Sequence, residues 1–357
     1  MSSEKDRVGQ RVGVLLSGGV DSSVAAQQLL QAGCVVSGVF ITIRNPAHIP
    51  CTAMADRQDA MRACAALDIP FLEYDATAVY QEKVIEPFVE AYRQGETPNP
   101  DVLCNRFVKF AAAFSFVLGK GFSCVATGHY AQVREVDSMH RLYRSVDVEK
   151  DQTYFIYTIA QEVLNRVLFP VGGYTKQQVR AFARDAGLPA AEKKDSVGLC
   201  FLGDVSMQDF LSAYIEPKTG EVRLSAGGAV VGSHDGVWFY TPGQRHGFTI
   251  TIGERGPYVV VGKDVAHNVL FVRPSDDVVD GSDRFTLKDA VFRRLPVDGE
   301  HLVARYRHRG ALYPVLLELH DDFVVVVFTE KHVIAKGQSV VVYGHDEECL
   351  GGGVVSG

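Results

Sequence analysis

What the chain lacks narrows the field. Neither Gly-x-x-x-x-Gly-Lys-[Ser/Thr] nor Gly-x-Gly-x-x-Gly occurs in its 357 residues. That excludes a Walker loop and a dinucleotide fingerprint, two common ways of cradling a phosphate on glycines. The seven cysteines (34, 51, 64, 104, 124, 200 and 349) form no Cys-x-x-Cys, so neither a zinc ribbon nor a secreted disulfide framework is expected. In a reducing compartment most of them are expected to be buried small hydrophobes, and any that are not become candidates for chemistry. The longest apolar runs fall short of a membrane span, and residues 1–11 carry no apolar signal core; a cytoplasmic protein is the expectation. There is no internal repeat and no low-complexity segment.

What is present is the composition of a globular protein, 46% hydrophobic and 22% charged, long enough for two or three domains. The net charge of −7 argues weakly against a nucleic-acid partner. The charge is uneven, however. Residues 284–309 hold seven Arg or Lys against three acids, and residues 176–194 hold five against two. Local patches decide phosphate binding more than the total does, and charge alone leaves a binding face and a merely solvated face equally open.

One stretch organises the rest. Ser17-Gly18-Gly19-Val20-Asp21-Ser22-Ser23 follows the apolar run Val12–Leu16, which reads as a buried strand, and precedes a helical run to Gln31 closed by Gly33. A strand, a glycine turn and a helix start hold an anion on backbone N–H groups and the helix dipole. Gly18 and Gly19 allow close approach of the backbone, the serines add hydroxyls, and Asp21 is a candidate ligand for magnesium carried by the phosphates.

Strands alternate with helices through the first half: Val35–Thr42, Phe71–Tyr74 and Cys124–Ala126 against helical 55–67, 79–93 and 105–118. This predicts an α/β domain with a parallel sheet covered on both faces, its ligand beyond the carboxyl ends of the strands. Ser17–Ser23, the turn after Thr42 and Thr127-Gly128-His129-Tyr130 then share one mouth. Helices are also expected at 175–186, opened by a Thr175/Gln178 capping box, and at 206–215. From about Glu221 short β-rich runs between Gly and Asp predict antiparallel sheets ending in a small barrel.

Two further stretches carry candidate chemistry. In Gly95–Asn105 the prolines and Asn99 predict an extended loop with a helix just after it, which puts Cys104 near a helix N-terminus and Asp101 three residues before it. Asp195–Gly203 is a glycine-containing loop carrying Cys200. A single loop cysteine is more often structural; two of them beside a phosphate loop shift that balance.

The Ser-Gly-Gly-x-Asp-Ser pattern resembles the pyrophosphate loop of the N-type ATP pyrophosphatases. Ser-Gly-Gly-Val-Asp-Ser, Thr-Pro-Asn-Pro-Asp-x-Leu-Cys-Asn, Thr-Gly-His-Tyr, Lys-Asp-Gln-x-Tyr-Phe, Asp-Ser-x-Gly-x-Cys-Phe-x-Gly, Gly-Gln-Arg and the terminal Cys-Leu-Gly-Gly-Gly-Val occur in that order. Together they resemble the tRNA-specific 2-thiouridylases over essentially the whole chain. The resemblance implies a Rossmann-like pyrophosphatase domain at 1–205, a small central domain at 206–275 and a C-terminal antiparallel β-barrel at 276–357. It implies ATP contacts at Leu15, Leu16, Ser17, Gly18, Gly19, Val20, Asp21, Ser22, Ile41 and Gly128. Asn99, Pro100 and Asp101 match the contact with the target base. Lys150, Asp151, Gln152, Arg305 and Tyr306 match tRNA contacts, and these favour the binding face for the basic stretch at 284–309. Cys104 matches the nucleophile and Cys200 the persulfide carrier, with Asp101 as proton carrier.

The chain departs from the family's habits at Leu15, at Val197, in Arg44–Pro50, in Ile252–Pro257 and at Glu330-Lys331. None of these is Asp101, Cys104 or Cys200. The implied partners are tRNA and a persulfide-carrying donor protein, with ATP as a substrate accompanied by Mg2+ and no membrane or dedicated metal site. Three alternatives remain at this level: another pyrophosphatase-loop ligase, an iron–sulfur cluster on Asp101, Cys104 and Cys200, and a catalytically silent tRNA-binding protein.

Overall fold

The computed structural model describes residues 7–44, 53–194, 205–252, 257–275, 281–297 and 299–357. Cys200 with its glycine loop, Val197 and most of the Arg44–Pro50 and Ile252–Pro257 segments lie outside the described residues.

The first half builds a parallel sheet from β1 (Arg11–Leu15), β2 (Val35–Thr42), β3 (Phe71–Asp75) and β4 (Cys124–Thr127). A separate hairpin of β5 (Ala131–Val136) and β6 (Met139–Arg144) follows, and β7 (Val167–Leu168) returns to the sheet, whose order is β3-β2-β1-β4-β7. The strands are apolar on both faces because both faces are covered. Val12, Val14, Leu16, Val36 and Phe40 pack with α1 (Val20–Gln31) and α2 (Ala53–Ala66). Leu15, Val39 and Ile41 pack on the other side with the helices at 77–93 and Pro100–Gly119. Each such side chain contributes roughly 1.5–3 kcal/mol when fully buried. Gly13 sets the spacing there, since a Cβ on it would lie 2.5 Å from Val117 Cγ1.

The helix Pro100–Gly119 starts five residues earlier than expected. Asn99 is its cap, with Oδ1 accepting from the N–H groups of Asp101 (3.0 Å) and Val102 (3.4 Å). Pro100 occupies the first helical position, where its missing N–H costs nothing. The dipeptide that reads as a breaker is therefore a helix start. The longer helix, 20 residues, has the length and apolarity to cross a membrane, contrary to the expectation from shorter runs; here its apolar side packs under the sheet. From Cys104 to Ala113 it widens to i→i+5 hydrogen bonding.

The second half is β-rich. β8 (Gly220–Leu224), β9 (Val230–His234), β10 (Thr249–Ile250), β11 (Tyr258–Asp264) and β12 (Val269–Pro274) form a sheet of order β10-β9-β8-β12-β11. Its β8–β12 pair is parallel, against the antiparallel expectation. β13 (Ser282–Phe292), β14 (Leu302–Arg305), β15 (Tyr313–Leu319), β16 (Val324–His332), β17 (Ser339–Gly344) and β18 (Cys349–Val355) close into an antiparallel barrel, which leaves no free edge. Leu287, Val326, Val340, Val342 and Leu350 fill it.

The barrel is fastened to the first domain by polar contacts. Arg305 of β14 donates to the fully buried carboxylate of Asp151 and, through Nε, to Tyr343 Oη at 3.0 Å. Thr153 Oγ1 donates to Asp151 Oδ2 (2.9 Å) and Ser145 N to its Oδ1 (3.1 Å). A second attachment grips the loop ahead of Asn99. Thr97 N donates to Lys336 O (2.7 Å), Lys288 pairs with Glu96 (2.8 Å), and Thr97 Oγ1 lies 3.3 Å from Thr241 Oγ1 of the central region. Gly337, at φ +89°, leaves room for this, since a Cβ on it would lie 2.8 Å from Thr97 N.

Removing one partner of a buried pair strands the other charge, at a cost of about 3–5 kcal/mol. Arg305→Ala is therefore expected to lower the urea midpoint of the barrel's unfolding, followed by Tyr fluorescence, by a corresponding amount before any tRNA is added. An unchanged midpoint would show that the pair does not fasten the barrel.

Candidate nucleotide and tRNA site

The glycine turn sits where β1 ends. Gly18 has φ +74°, and a Cβ on it would lie 2.6 Å from Asp56 O, so both conformation and space require glycine. Gly19 caps α1, which begins at Val20 rather than Val24, and Asp21, Ser22 and Ser23 form its first turn. Ser22 Oγ accepts from Ser17 N (3.2 Å), and Ser23 Oγ donates to Gly19 O (2.9 Å). The hydroxyls thus brace the turn. Leu15 and Ile41 are buried at the carboxyl ends of β1 and β2, beneath the mouth.

Thr127–Tyr130 closes the mouth from β4. Gly128 lies against the first turn of α1, and a Cβ on it would lie 2.6 Å from Ser22 N and 2.8 Å from Asp21 C. His129 is buried between Phe110 and Phe169, with Nδ1 2.7 Å from Thr127 Oγ1; burial, then the charge of Lys109, hold its pKa well below the ordinary value. It serves as a packing element between the two rings. Tyr130 Oη donates to Asp21 Oδ1 at 2.9 Å.

Lys176 completes this side. It opens the helix Lys176–Asp185 behind the Thr175 capping box, and its Nζ meets Asp21 Oδ1 and Oδ2 at 2.7 and 2.8 Å. Lys193 approaches from the other flank, pairing with Asp56 (3.0 Å) and Asp59 (2.8 Å) and reaching Gly18 O at 3.4 Å. The turn itself contains no cation, so these two lysines supply the positive charge around it. Sequence reasoning missed both. The only signal was the basic excess at 176–194, because a Lys–Asp contact between distant positions leaves no local pattern.

The helix Pro100–Gly119 brings the second group to the same end of the sheet. Val117 packs at Gly13 in mid-strand, and Phe110 packs on His129 just past β4. The helix therefore points its N-terminus beyond the strand ends, with Cys104 about 9 Å further along than Phe110. Asn99, Pro100 and Asp101 lie at its start. Cys104 itself is 1% exposed and sits in the second turn, in the apolar cluster that holds Leu15 and Ile41. It is thus neither in a polar loop nor in the first turn, where the dipole acts most.

Lys150, Asp151, Gln152, Arg305 and Tyr306 gather at the seam with the barrel. Asp151 and Arg305 face each other in the interior, while Lys150, Gln152 and Tyr306 are partly exposed. Among the described residues no group of three or more His, Cys, Asp or Glu is placed to hold a metal ion.

A nucleotide-type α/β domain with a glycine turn, followed by a small β domain and a barrel, is the architecture that three family comparisons return in order. Residues 10–204 match the tRNA methyl transferase HUP domain, 208–274 the tRNA methyl transferase PRC-barrel domain and 282–355 the aminomethyltransferase beta-barrel domain. The chain is 41% identical over 354 residues to the tRNA-specific 2-thiouridylase MnmA of Bacillus licheniformis, covering 97% of this chain and 94% of that one. It is 40% identical over 355 residues to the protein of that description from Halalkalibacterium halodurans, with the same coverage. The chain belongs to the tRNA-specific 2-thiouridylase family. A solved 4-thiouridine synthetase–RNA complex with bound ATP is similar at TM-score 0.35 and 19% identity over 55% of this chain and 47% of that one, too weakly to bear on the site.

Two substitutions test the mouth. Gly128→Ala pushes on backbone atoms that cannot swing aside, and Lys176→Met removes the cation at Asp21. Each is expected to lower tRNA-dependent pyrophosphate release on the order of 100-fold, with the circular dichroism spectrum unchanged. Lys176→Arg should recover part of the loss.

Proposed function

We propose that the mouth at Ser17–Ser23 adenylates a tRNA uridine and that the helix start at Asn99–Cys104 handles the base and the incoming sulfur. Family membership makes the chain an ATP-using tRNA-uridine 2-sulfurtransferase. The observation that carries the division of labour is the direction of the helix Pro100–Gly119. It delivers Asp101 and Cys104 to the strand ends where the glycine turn lies.

The chemistry follows from what each group offers. The C2 carbonyl of uracil is a poor electrophile, and transfer of AMP to its oxygen turns that oxygen into a leaving group. The backbone from Leu15 to Ser22, with Ile41 and Gly128 beside it, binds ATP with its accompanying magnesium. Lys176, held at Asp21, neutralises charge on the departing pyrophosphate. Asn99, Pro100 and Asp101 receive the flipped base, with Asp101 carrying a proton. A persulfide on Cys200, loaded by a donor protein, attacks C2 with its terminal sulfur and displaces AMP. The Cys104 thiolate then attacks the Cys200 sulfur. The S–S bond to the base breaks, 2-thiouridine leaves, and a Cys104–Cys200 disulfide remains for an external thiol to reduce. Lys150, Gln152 and Tyr306 contact the tRNA, and Asp151 and Arg305 hold that surface in place. A cytoplasmic location fits the need for reduced cysteines.

The test follows sulfur. Incubation with radioactive sulfane sulfur is expected to label Cys200 in the full chain and in Cys104→Ser, and not in Cys200→Ser. Nucleoside mass spectrometry of tRNA is expected to find 2-thiouridine with the unsubstituted protein alone. Thiolation surviving in either Ser variant would overturn the two-cysteine route. Iron lost together from both variants and from Asp101→Ala would favour a cluster instead.

A further inference from the structure

Gly95-Glu96-Thr97, just ahead of the helix start that carries Asp101, is held from two other parts of the chain at once. From the barrel, Lys336 O accepts from Thr97 N (2.7 Å) and Lys288 pairs with Glu96 (2.8 Å). Gly337 N donates to Val355 O at 2.9 Å, so the turn that meets Thr97 is itself tied to the last strand. From the central region, Thr241 Oγ1 lies 3.3 Å from Thr97 Oγ1. Lys263 of β11 steadies that contact, its Nζ donating to Tyr240 O at 2.8 Å. Gly95, at φ +79°, rests on the same region, since a Cβ on it would lie 2.6 Å from Val265 Cγ2. The connection onward from Thr97 is stiff. Two of the three residues between Thr97 and Asp101 are proline. Pro98 and Pro100 fix their own φ, and each confines the residue before it to extended conformations; Asn99 stands at φ −111°, ψ 107°. Asp101 is then held through both backbone groups. Its N–H donates to Asn99 Oδ1 and its carbonyl accepts from Asn105 Nδ2, each at 3.0 Å.

We infer that Glu96, Thr97 and Gly337 are positioning residues for the reaction: the barrel and the central region set, through the rigid Thr97–Pro100 strut, where Asp101 stands relative to the glycine turn. The inference rests on the reading of the helix start as the base-handling end. It goes beyond that reading by assigning the placement of this end to two regions that supply none of the reacting groups. Placement of this kind matters to rate, because a shift of about 1 Å can cost on the order of 100-fold. The half-exposed Lys288–Glu96 pair adds little to stability, so a change in rate on reversing it reports placement.

The experiment follows single-turnover pyrophosphate release from ATP by the full chain with an unmodified tRNA transcript, across ATP and tRNA concentrations. Lys288→Glu sets like charges against each other at Glu96. It is expected to slow the step about tenfold, with half-saturating ATP and tRNA concentrations unchanged. The double variant Glu96→Lys/Lys288→Glu should return close to the wild-type rate. Gly337→Ala, whose Cβ meets Thr97 N at 2.8 Å and Glu96 Cβ at 3.0 Å, should be slower still. Pro98→Ala loosens the strut and leaves the clamp; combined with Lys288→Glu it should lose less than the product of the two single effects. A wild-type rate in both Lys288→Glu and Gly337→Ala would overturn the inference. So would a Lys288→Glu defect that the charge exchange does not restore, or a lower amplitude and thermal midpoint with the rate unchanged, which is what a purely structural clamp gives. A full rate in Asp101→Ala would instead overturn the reading of the helix start as the base-handling end.

Discussion

A carboxylate with no access to water sits where the first domain meets the barrel, and much else hangs on it. Asp151 is held by Ser145 N and Thr153 Oγ1 from its own domain and by Arg305 from β14. Its neighbour Gln152 accepts from Tyr130 N (3.0 Å) and donates its own N–H to Tyr130 O (2.9 Å). Tyr130 in turn donates to Asp21 in the glycine turn. Arg305, Asp151, Gln152, Tyr130 and Asp21 thus connect the barrel wall to the glycine turn through one ion pair, one peptide bond and hydrogen bonds. A buried ion pair is weak evidence of stability, but its geometry tolerates few alternatives. Here it fixes which way the barrel faces relative to the mouth.

Much of the fold was legible in the sequence because it rests on local pattern. The apolar strands with helices between them, the Thr175 capping box and the change to β texture near Glu221 each encode their element within a few residues. The start of the Cys104 helix was misread because Asn99-Pro100 serves equally as a loop breaker and as a cap followed by the first helical residue. Only the partners of the Asn99 side chain distinguish the two. The direction of the β8–β12 pair was not legible, since strand pairing is a long-range property.

The site was legible in parts for the same reason. The glycine turn, Gly128 and Asn99–Cys104 are contiguous motifs with conformational demands. Lys176 and Lys193 become visible only when folding brings them to Asp21 and Gly18. Arg305 shows the limit from the other side: the resemblance matches it to a tRNA contact, and nothing in the sequence shows that its guanidinium is also buried against Asp151. Cys104 reads as a loop thiol for the same want of packing information, although it is core.

The grip on Thr97 has a consequence for how the protein comes into being. The loop that leads into the Cys104 helix rests on the backbone of Lys336 and Gly337, near the far end of the chain. During synthesis the parallel sheet and its glycine turn emerge first, and domains generally fold as they appear. The stop against which Thr97 rests does not yet exist at that stage. A nascent or prematurely terminated chain therefore carries the glycine turn without a fixed loop at Thr97–Asn99, and the two come into register only when the last strands close the barrel.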